Sequence, residues 1–424
     1  MNGSLLRKWL LVSLCSAWAV GVGCAGDPEK RTVYDADAGE GGEAGEPNDN
    51  VGGSNVPANN AGEPNAGGVA GAAGEPTTGG VVGAAGEGGT SAAGAPNLPQ
   101  CEGELTFADP YVEMQVRMAI SQPTGPITSA AVADLTTLAI PFNDDSIDMN
   151  GIECLTALTF LDFRDRGGGQ PLSLLALLPN LRTIDFTDGY LSDLTGLGSV
   201  TQLTSLELGQ NGITDFSELA TLTNLENLSL YGNGDFNNTP LSIAAVASLT
   251  KLKRLDLGSL HIADVTPLAS LSQLEELSIS GTQLTALPDL SAHPELTRLN
   301  VSGNAIANLT PLGSLTKLVE LNAASMGLTS LTAIAPLVAL TKLDLSYNQL
   351  TNIAALGALP QLSVLDIGYN SGITSFQALV DSAYIGAGDE LTVEGAGDCS
   401  VAIVDQLEAL VADGVILHNA CGVQ

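Results

Sequence analysis

Basic residues are scarce in this chain. Lys and Arg number 14 against 47 Asp and Glu, for a net charge of −33 over 424 residues. That balance argues against nucleic-acid binding, which needs cations to displace counterions from phosphate. It also argues against docking on an anionic membrane through basic residues. Histidine is rarer still. His261, His293 and His418 are the only three, so a multi-histidine metal site is not expected. Aromatics make up 4%, which leaves few of the Trp and Tyr anchors that dominate tight interfaces. H-E-x-x-H, G-x-S-x-G, Walker A and C-x-x-C are all missing. The expectation is a protein that is not an enzyme and takes no cofactor and no metal. Apolar residues nonetheless reach 44%, and the length suits two or three ordinary domains.

Long apolar runs are also lacking, with one exception at the start. Arg7 and Lys8 precede an apolar stretch from Trp9 to Val22. As a helix it spans roughly 21 Å, short of the ~30 Å hydrocarbon core. It reads as a signal-peptide core over residues 1–23. The small residues Gly21-Val22-Gly23 before Cys24 resemble the bacterial lipoprotein processing box, although Gly21 stands where Leu is usual. That resemblance implies lipidation of Cys24 and an exported protein held at the cell envelope by its lipid alone. The alternative is a secreted protein cleaved nearby. Gly21-Val22-Gly23-Cys24-Ala25-Gly26 also fits G-x-G-x-x-G, but it follows no strand and opens no helix, so it carries no dinucleotide signal. Residues 24–100 are Gly, Ala, Glu, Pro and Asn, with Ala-Gly-Glu-Pro at Ala44, Ala61 and Ala73. Little there can be buried to offset chain entropy. The segment reads as a disordered acidic tether with a root-mean-square span of roughly 45–50 Å.

From residue 101 onward the sequence repeats every 22 residues in the pattern L-x-x-L-x-x-L-x-L. Leu222, Leu225, Leu228 and Leu230 form one unit, and Leu337, Leu340, Leu343 and Leu345 another. His293 takes the opening apolar slot of its unit, which continues with Leu296, Leu299 and Val301. About twelve coils are counted, from Leu135 to Val393. The short x-L-x-L segment alternates as a strand must. One coil cannot bury its own apolar side, whereas stacked coils share one core. Asn143, Asn211, Asn233, Asn304, Asn348 and Asn370 follow the strands, where an amide can bond turning backbone and neighbouring Asn residues can form a ladder. Asn211-Gly212-Ile213-Thr214-Asp215 and Asn348-Gln349-Leu350-Thr351-Asn352 resemble the N-x-I-x-D step of leucine-rich repeats in their 22-residue, internalin-like bacterial form. The resemblance covers roughly residues 105–421. It implies a right-handed α/β solenoid with a concave parallel sheet, and binding of a macromolecular partner on that sheet.

The flanks read as caps: residues 101–154 hold an N-terminal cap and first coil, 155–390 the repeats, and 391–424 an α/β C-terminal cap. Asp109-Pro110 starts a helix carrying Val112, Val116, Ala119 and Ile120 at helical spacing. Thr128 is expected to cap a second short helix into Val132. Ser400 or Asp398 starts a third through Val404, Leu407 and Leu410, which Gly414 stops. Cys101, Cys154, Cys399 and Cys421 lie in these caps. Four cysteines allow three pairings, of which proximity favours Cys101–Cys154 and Cys399–Cys421. Buried free thiols are the alternative, disfavoured by an oxidising compartment.

Register also predicts the sheet's open face. The residue between the last two apolar positions points outward, which gives Ala139, Asp162, Asp185, Glu207, Ser229, Asp256, Ser278, Asn300, Asn322, Asp344, Asp366 and Thr392. Half of these are acidic. Flanking columns run Phe160 to Val364 on one side, and on the other the mostly small series Gly209, Gly258 to Gly368, with Tyr231 and Arg164 as exceptions. One reading is an acidic groove for a protein or peptide, expected to be basic. The other is that Asp and Ser are simply well-solvated strand residues, and the protein has an envelope-structural role without a ligand. Ser146-Ile147-Asp148-Met149-Asn150-Gly151 matches a calcium loop only in part, since Ser146 replaces the first acid and Ala157 the closing Glu. Insertions near Gly234-Asp235-Phe236-Asn237-Asn238 and between Leu365 and Leu391, and the irregular stretch Arg164-Asp165-Arg166-Gly167-Gly168-Gly169, map to loops that either touch a partner or reflect neutral drift. A monomer is expected.

Overall fold

The computed structural model describes residues 101–141, 147–163, 172–235, 238–418 and 421. All fall in one compact unit, Ala95–Gln424. Cys24, Asn143, Ser146, Arg164 and the segments read as signal peptide and tether lie outside the described residues.

Thirteen short strands form a single parallel sheet in strict chain order. They are β1 Thr137–Ala139, β2 Phe160–Asp162, β3 Thr183–Asp185, β4 Ser205–Glu207 and β5 Asn227–Ser229. Then come β6 Arg254–Asp256, β7 Glu276–Ser278, β8 Arg298–Asn300 and β9 Glu320–Asn322. β10 Lys342–Asp344, β11 Val364–Asp366, β12 Glu390–Thr392 and β13 Ile416–His418 complete it. Strands β1 to β12 are the x-L-x units of the repeat, with Ile184 in the Leu place of β3. The central side chain of each turns inward, and Leu206, Leu228, Leu277 and Leu299 are all buried. These leucines join those of the rest of each coil in one continuous apolar cluster from Leu105 to Val415. The core is therefore shared between coils rather than divided into separate centres, as a solenoid requires.

The return path of most coils is a short 3₁₀ segment, such as Ser217–Thr221, Thr266–Ser270 and Thr310–Ser314. The last residue of the N-x-I-x-D step starts it. Asp215 Oδ1 accepts from Ser217 N at 2.8 Å, Asp264 Oδ1 from Thr266 N at 2.9 Å, and Asn308 Oδ1 from Thr310 N at 2.9 Å. A side chain that bonds backbone two residues on caps the turn locally. Bonds from the Thr195 hydroxyl and N–H hold the Asp193 carboxyl below the ordinary carboxylate value, and bonds from the Thr266 N–H and hydroxyl do the same for Asp264.

Both ends are closed. The helix α1, Pro110–Ala119, has Asp109 as N-cap, accepting from Tyr111 N at 2.7 Å, and buries Val112 and Val116. Ala119 is exposed, and Gln115 is buried in its place, because the apolar face of α1 drifts round the axis. Residues 129–134 form turns rather than the expected helix; Thr128 Oγ1 does accept from Ala131 N at 3.2 Å. A short helix α2, Gln377–Val380, packs on α3, Val401–Ala412, which buries Ile403, Leu407 and Leu410. Asp398 accepts from Ser400 N before α3, and Gly414 takes φ 91° after it. The chain then adds β13, one strand more than the twelve coils counted, because Ile416-Leu417-His418 carries no repeat pattern of its own. Cys101 is bonded to Cys154 and Cys399 to Cys421, so each link lies in a cap.

Candidate functional site

The expected outward column is a register column of the sheet. Asp162 pairs with Asp185, Asp185 with Glu207 and Glu207 with Ser229. The series runs on through Asp256 to Asp344, Asp366 and Thr392. Neighbouring strands lie about 4.8 Å apart, so Asp162, Asp185 and Glu207 form an uninterrupted acidic row.

Part of this chemistry serves the fold. Asp185 Oδ1 accepts from Thr187 N, Asp256 Oδ1 from Gly258 N, Asp344 Oδ1 from Ser346 N and Asp366 Oδ1 from Gly368 N, all at 2.8–2.9 Å. Asn300 and Asn322 do the same at 3.1 Å. Asp and Asn at this position therefore fix the exit from the strand, and only one oxygen of each carboxylate is committed to that bond. Glu207 is longer and makes no such bond. Burial first, then the charges of Asp185 and Asp256, push its carboxyl up to about 7, against a smaller opposing effect of a hydrogen bond from Ser229. Burial likewise raises Asp256 and Asp366.

The first residues of β6 to β10 behave differently. Arg254, Glu276, Arg298, Glu320 and Lys342 alternate in sign across five neighbouring strands. Arg254 Nε meets Glu276 Oε1 at 3.0 Å, which Arg298 also bonds. Arg298 Nε and Lys342 Nζ meet Glu320 Oε1 at 3.4 and 3.6 Å. Like charges directly opposite would repel, and alternation removes that cost. The ladder pairs three cations with two carboxylates and keeps one net positive charge.

A third column sits where the chain turns off the strand. Gln210, Gly232, Ser259, Gly281, Gly303, Ser325, Tyr347, Tyr369 and Gly395 all take left-handed φ values between 54° and 67°. Glycine occupies such a position without strain. Tyr347 and Tyr369 do not fit that preference, yet they stack with ring centroids 4.3 Å apart and planes 9° apart. Tyr369 Oη donates to Glu394 Oε1 at 2.7 Å, a bond that helps push its hydroxyl up to about 12. Tyr231 is also exposed, beside Gly258, where an added Cβ would come within 3.0 Å of its ring.

Behind these columns, the asparagines act through backbone rather than through one another. Asn211 and Asn233 both donate to Leu208 O, and Asn348 and Asn370 both donate to Leu345 O. The ladder is thus made of shared carbonyls. Thr282 fills one Asn slot by donating to Ile279 O at 2.7 Å. His293 is fully buried in its apolar slot. Its Nε2 lies 3.0 Å from Leu268 O, a carbonyl that can only accept, so Nε2 carries the proton. Nδ1 is left without a partner, so this ring is structural. His261 Nδ1 lies 2.6 Å from Asn238 O, and Gln283 donates to Asn238 Oδ1, so Asn238 is tied to the next two coils.

Among the described residues, no group of three or more His, Cys, Asp or Glu stands close enough to hold a metal ion. Among them too, no helix is long and apolar enough to cross a membrane. A cleft of about 430 Å³ lies against α1, lined by Met114, Arg117, Met118 and Pro123. It holds none of the acidic column.

The family model for leucine rich repeats in two copies matches residues 338–380, the coils of β10 and β11. No curated protein matches the chain. Among solved structures, the internalin inlF of Listeria monocytogenes shares 24% identity, covering 74% of this chain and 91% of its own, at a TM-score of 0.60. A leucine-rich-repeat protein of Leptospira interrogans shares 20%, covering 63% and 74%, at 0.55. TLR13, solved in complex with ssRNA13, shares 20%, covering 66% of this chain and 43% of its own, at 0.52. The chain therefore carries a leucine-rich-repeat solenoid. Its fold is internalin-like.

Proposed function

We propose that this protein is an exported, lipid-anchored recognition protein that binds a basic protein or peptide noncovalently on the open face of its sheet. The observation that carries this reading is the acidic row Asp162, Asp185 and Glu207, continued by Asp256, Asp344 and Asp366, in which local turn bonds occupy one carboxylate oxygen of most members. Asp185 is buried and the other five are half-buried, so the row acts through its summed field, which attracts cationic partners over about a Debye length and sets their register on docking. The anchor would be Cys24, the spacer residues 25–100, and the two cap disulfides suit an oxidising compartment. A solenoid face offers a broad contact area rather than an enclosed pocket for reaction, and the molecule would act as a monomer.

The test is a titration with a hexa-arginine peptide at low salt. Changing Asp185, Glu207, Asp256 and Asp344 together to Lys is expected to weaken binding by at least about 100-fold, four charge contacts at roughly 1 kcal/mol each being more than enough. Unchanged affinity would favour an envelope-structural role instead. Mass spectrometry of the mature N-terminus checks the anchor: an acylated Cys24 is expected, and an unmodified N-terminus at another residue would rule it out.

A further inference from the structure

We infer that the stacked pair Tyr347 and Tyr369, which follows Asp344 and Asp366 at the ends of β10 and β11, anchors an arginine side chain of the basic partner. This rests on the recognition reading above and adds which residue is held, and where.

Both tyrosines hold left-handed backbone, at φ 56° and 54°. The flanking coils place Ser325 and Gly395 at the same position. A bulky side chain is disfavoured there, and neither ring gains burial in return, being 57% and 43% exposed. Strain kept at exposed positions in two successive coils points to use rather than to packing. Tyr369 is fixed on three sides. Its hydroxyl donates to Glu394, Tyr347 covers one face, and Gly395 lies against the ring, where an added Cβ would come within 3.1 Å. Tyr347 is the more exposed of the two, and the coil before it places only the small Ser325 at this position.

An open aromatic face attracts a cation. Arginine suits it better than lysine, because a planar guanidinium stacks on the ring while still directing N–H groups to carboxylates. Asp344 and Asp366 are register partners on the strands that lead to the two tyrosines. Each has Oδ1 engaged by its own turn, and neither forms an ion pair among the described residues. The ladder ends at Lys342, and Asp344 and Asp366 lie next along β10 and β11, toward the turns that carry the rings.

The experiment uses the full chain, titrated with hexa-arginine, hexa-lysine and a neutral hexasaccharide. Hexa-arginine is expected to bind more tightly than hexa-lysine. Tyr347→Gly is expected to weaken hexa-arginine about three- to fivefold and to leave hexa-lysine unchanged. It should also raise the unfolding midpoint, since glycine relieves the left-handed backbone, so the loss would not be misfolding. Wild-type affinity of Tyr347→Gly for hexa-arginine would overturn the anchor, as would equal binding of the two peptides or binding of the sugar in their place. If hexa-arginine binding survives Tyr347→Gly but is lost in the four-site Lys variant, the anchor falls and the recognition reading stands. If neither variant changes binding, both fall.

Discussion

Replacing Asn304 with alanine will destabilise the solenoid by about 3–5 kcal/mol, read as a lower urea midpoint at unchanged slope. The side chain is buried between two coils. Its Oδ1 accepts from Thr282 N at 3.1 Å and Leu284 N at 3.0 Å, while Nδ2 donates to Ile279 O at 2.7 Å and Val301 O at 2.9 Å. Alanine leaves two backbone donors in the interior without an acceptor, and each costs about 1–3 kcal/mol. The lost packing of the amide adds to this. The exposed pair Glu295–Lys317, at 2.7 Å, gives the contrast: its removal is expected to cost under about 1 kcal/mol. Similar effects from the two changes would mean that the turns are held by the leucines alone. Because the Asn carbonyl network links successive coils, its loss should also reduce cooperativity between the two halves of the array.

The second large effect concerns Glu207. Its carboxyl is pushed up to about 7 from an ordinary 4.5, chiefly by burial and then by Asp185 and Asp256. The folded chain therefore keeps a proton that the unfolded chain releases between these values. The stabilisation linked to that proton is full below about pH 4.5 and is lost as pH rises to about 7. Glu207→Gln cannot ionise. It is expected to be more stable than the wild type by about 1–3 kcal/mol at pH 8, after allowance for partial solvent screening, and equal to it near pH 4.5. Urea unfolding at the two pH values checks this, and equal stability at pH 8 would contradict it. The same arrangement links acidity to recognition. A cationic partner beside Glu207 favours the ionised form, so binding near pH 7 should release a proton, and affinity should rise with pH.

Much of this was legible because the period is strict. Leu206, Leu228, Leu277 and Leu299 had to share one interior once each stood at the same place in a 22-residue unit, and the outward column followed from alternation along the strand. What the pattern did not show has physical causes. The 3₁₀ segments carry no periodicity of their own; they are set by Asp215, Asp264 and Asn308, whose caps look in sequence like ordinary polar residues. The Arg254 to Lys342 ladder lies in a column that was read, but its alternation of sign matters only once neighbouring strands are in register. The left-handed column was missed because Gln210, Ser259 and Tyr347 hide a backbone requirement that glycine at 232, 281 and 303 shows openly. Thr128 failed as a helix start because the residues after it close a turn with too few apolar positions to hold a helix against the core. β13 was missed because a strand at the end of a sheet needs only one paired edge and no repeat.

In the proposed function the open sheet face, not the molecule's net charge at large, does the recognising. The most direct test is made at pH 8, where Glu207 is ionised in the wild type: two variants that each lack four acidic side chains are compared for affinity toward hexa-arginine. One changes Asp185, Asp256 and Asp344 to Asn and Glu207 to Gln, which keeps the Asp turn bonds possible. The other changes Asp193, Asp215, Asp264 and Asp289 to Asn, at the turns that lead away from the sheet, where an amide can still cap. The account predicts at least about a tenfold loss for the first and a change within about twofold for the second. Equal losses in the two variants would contradict it.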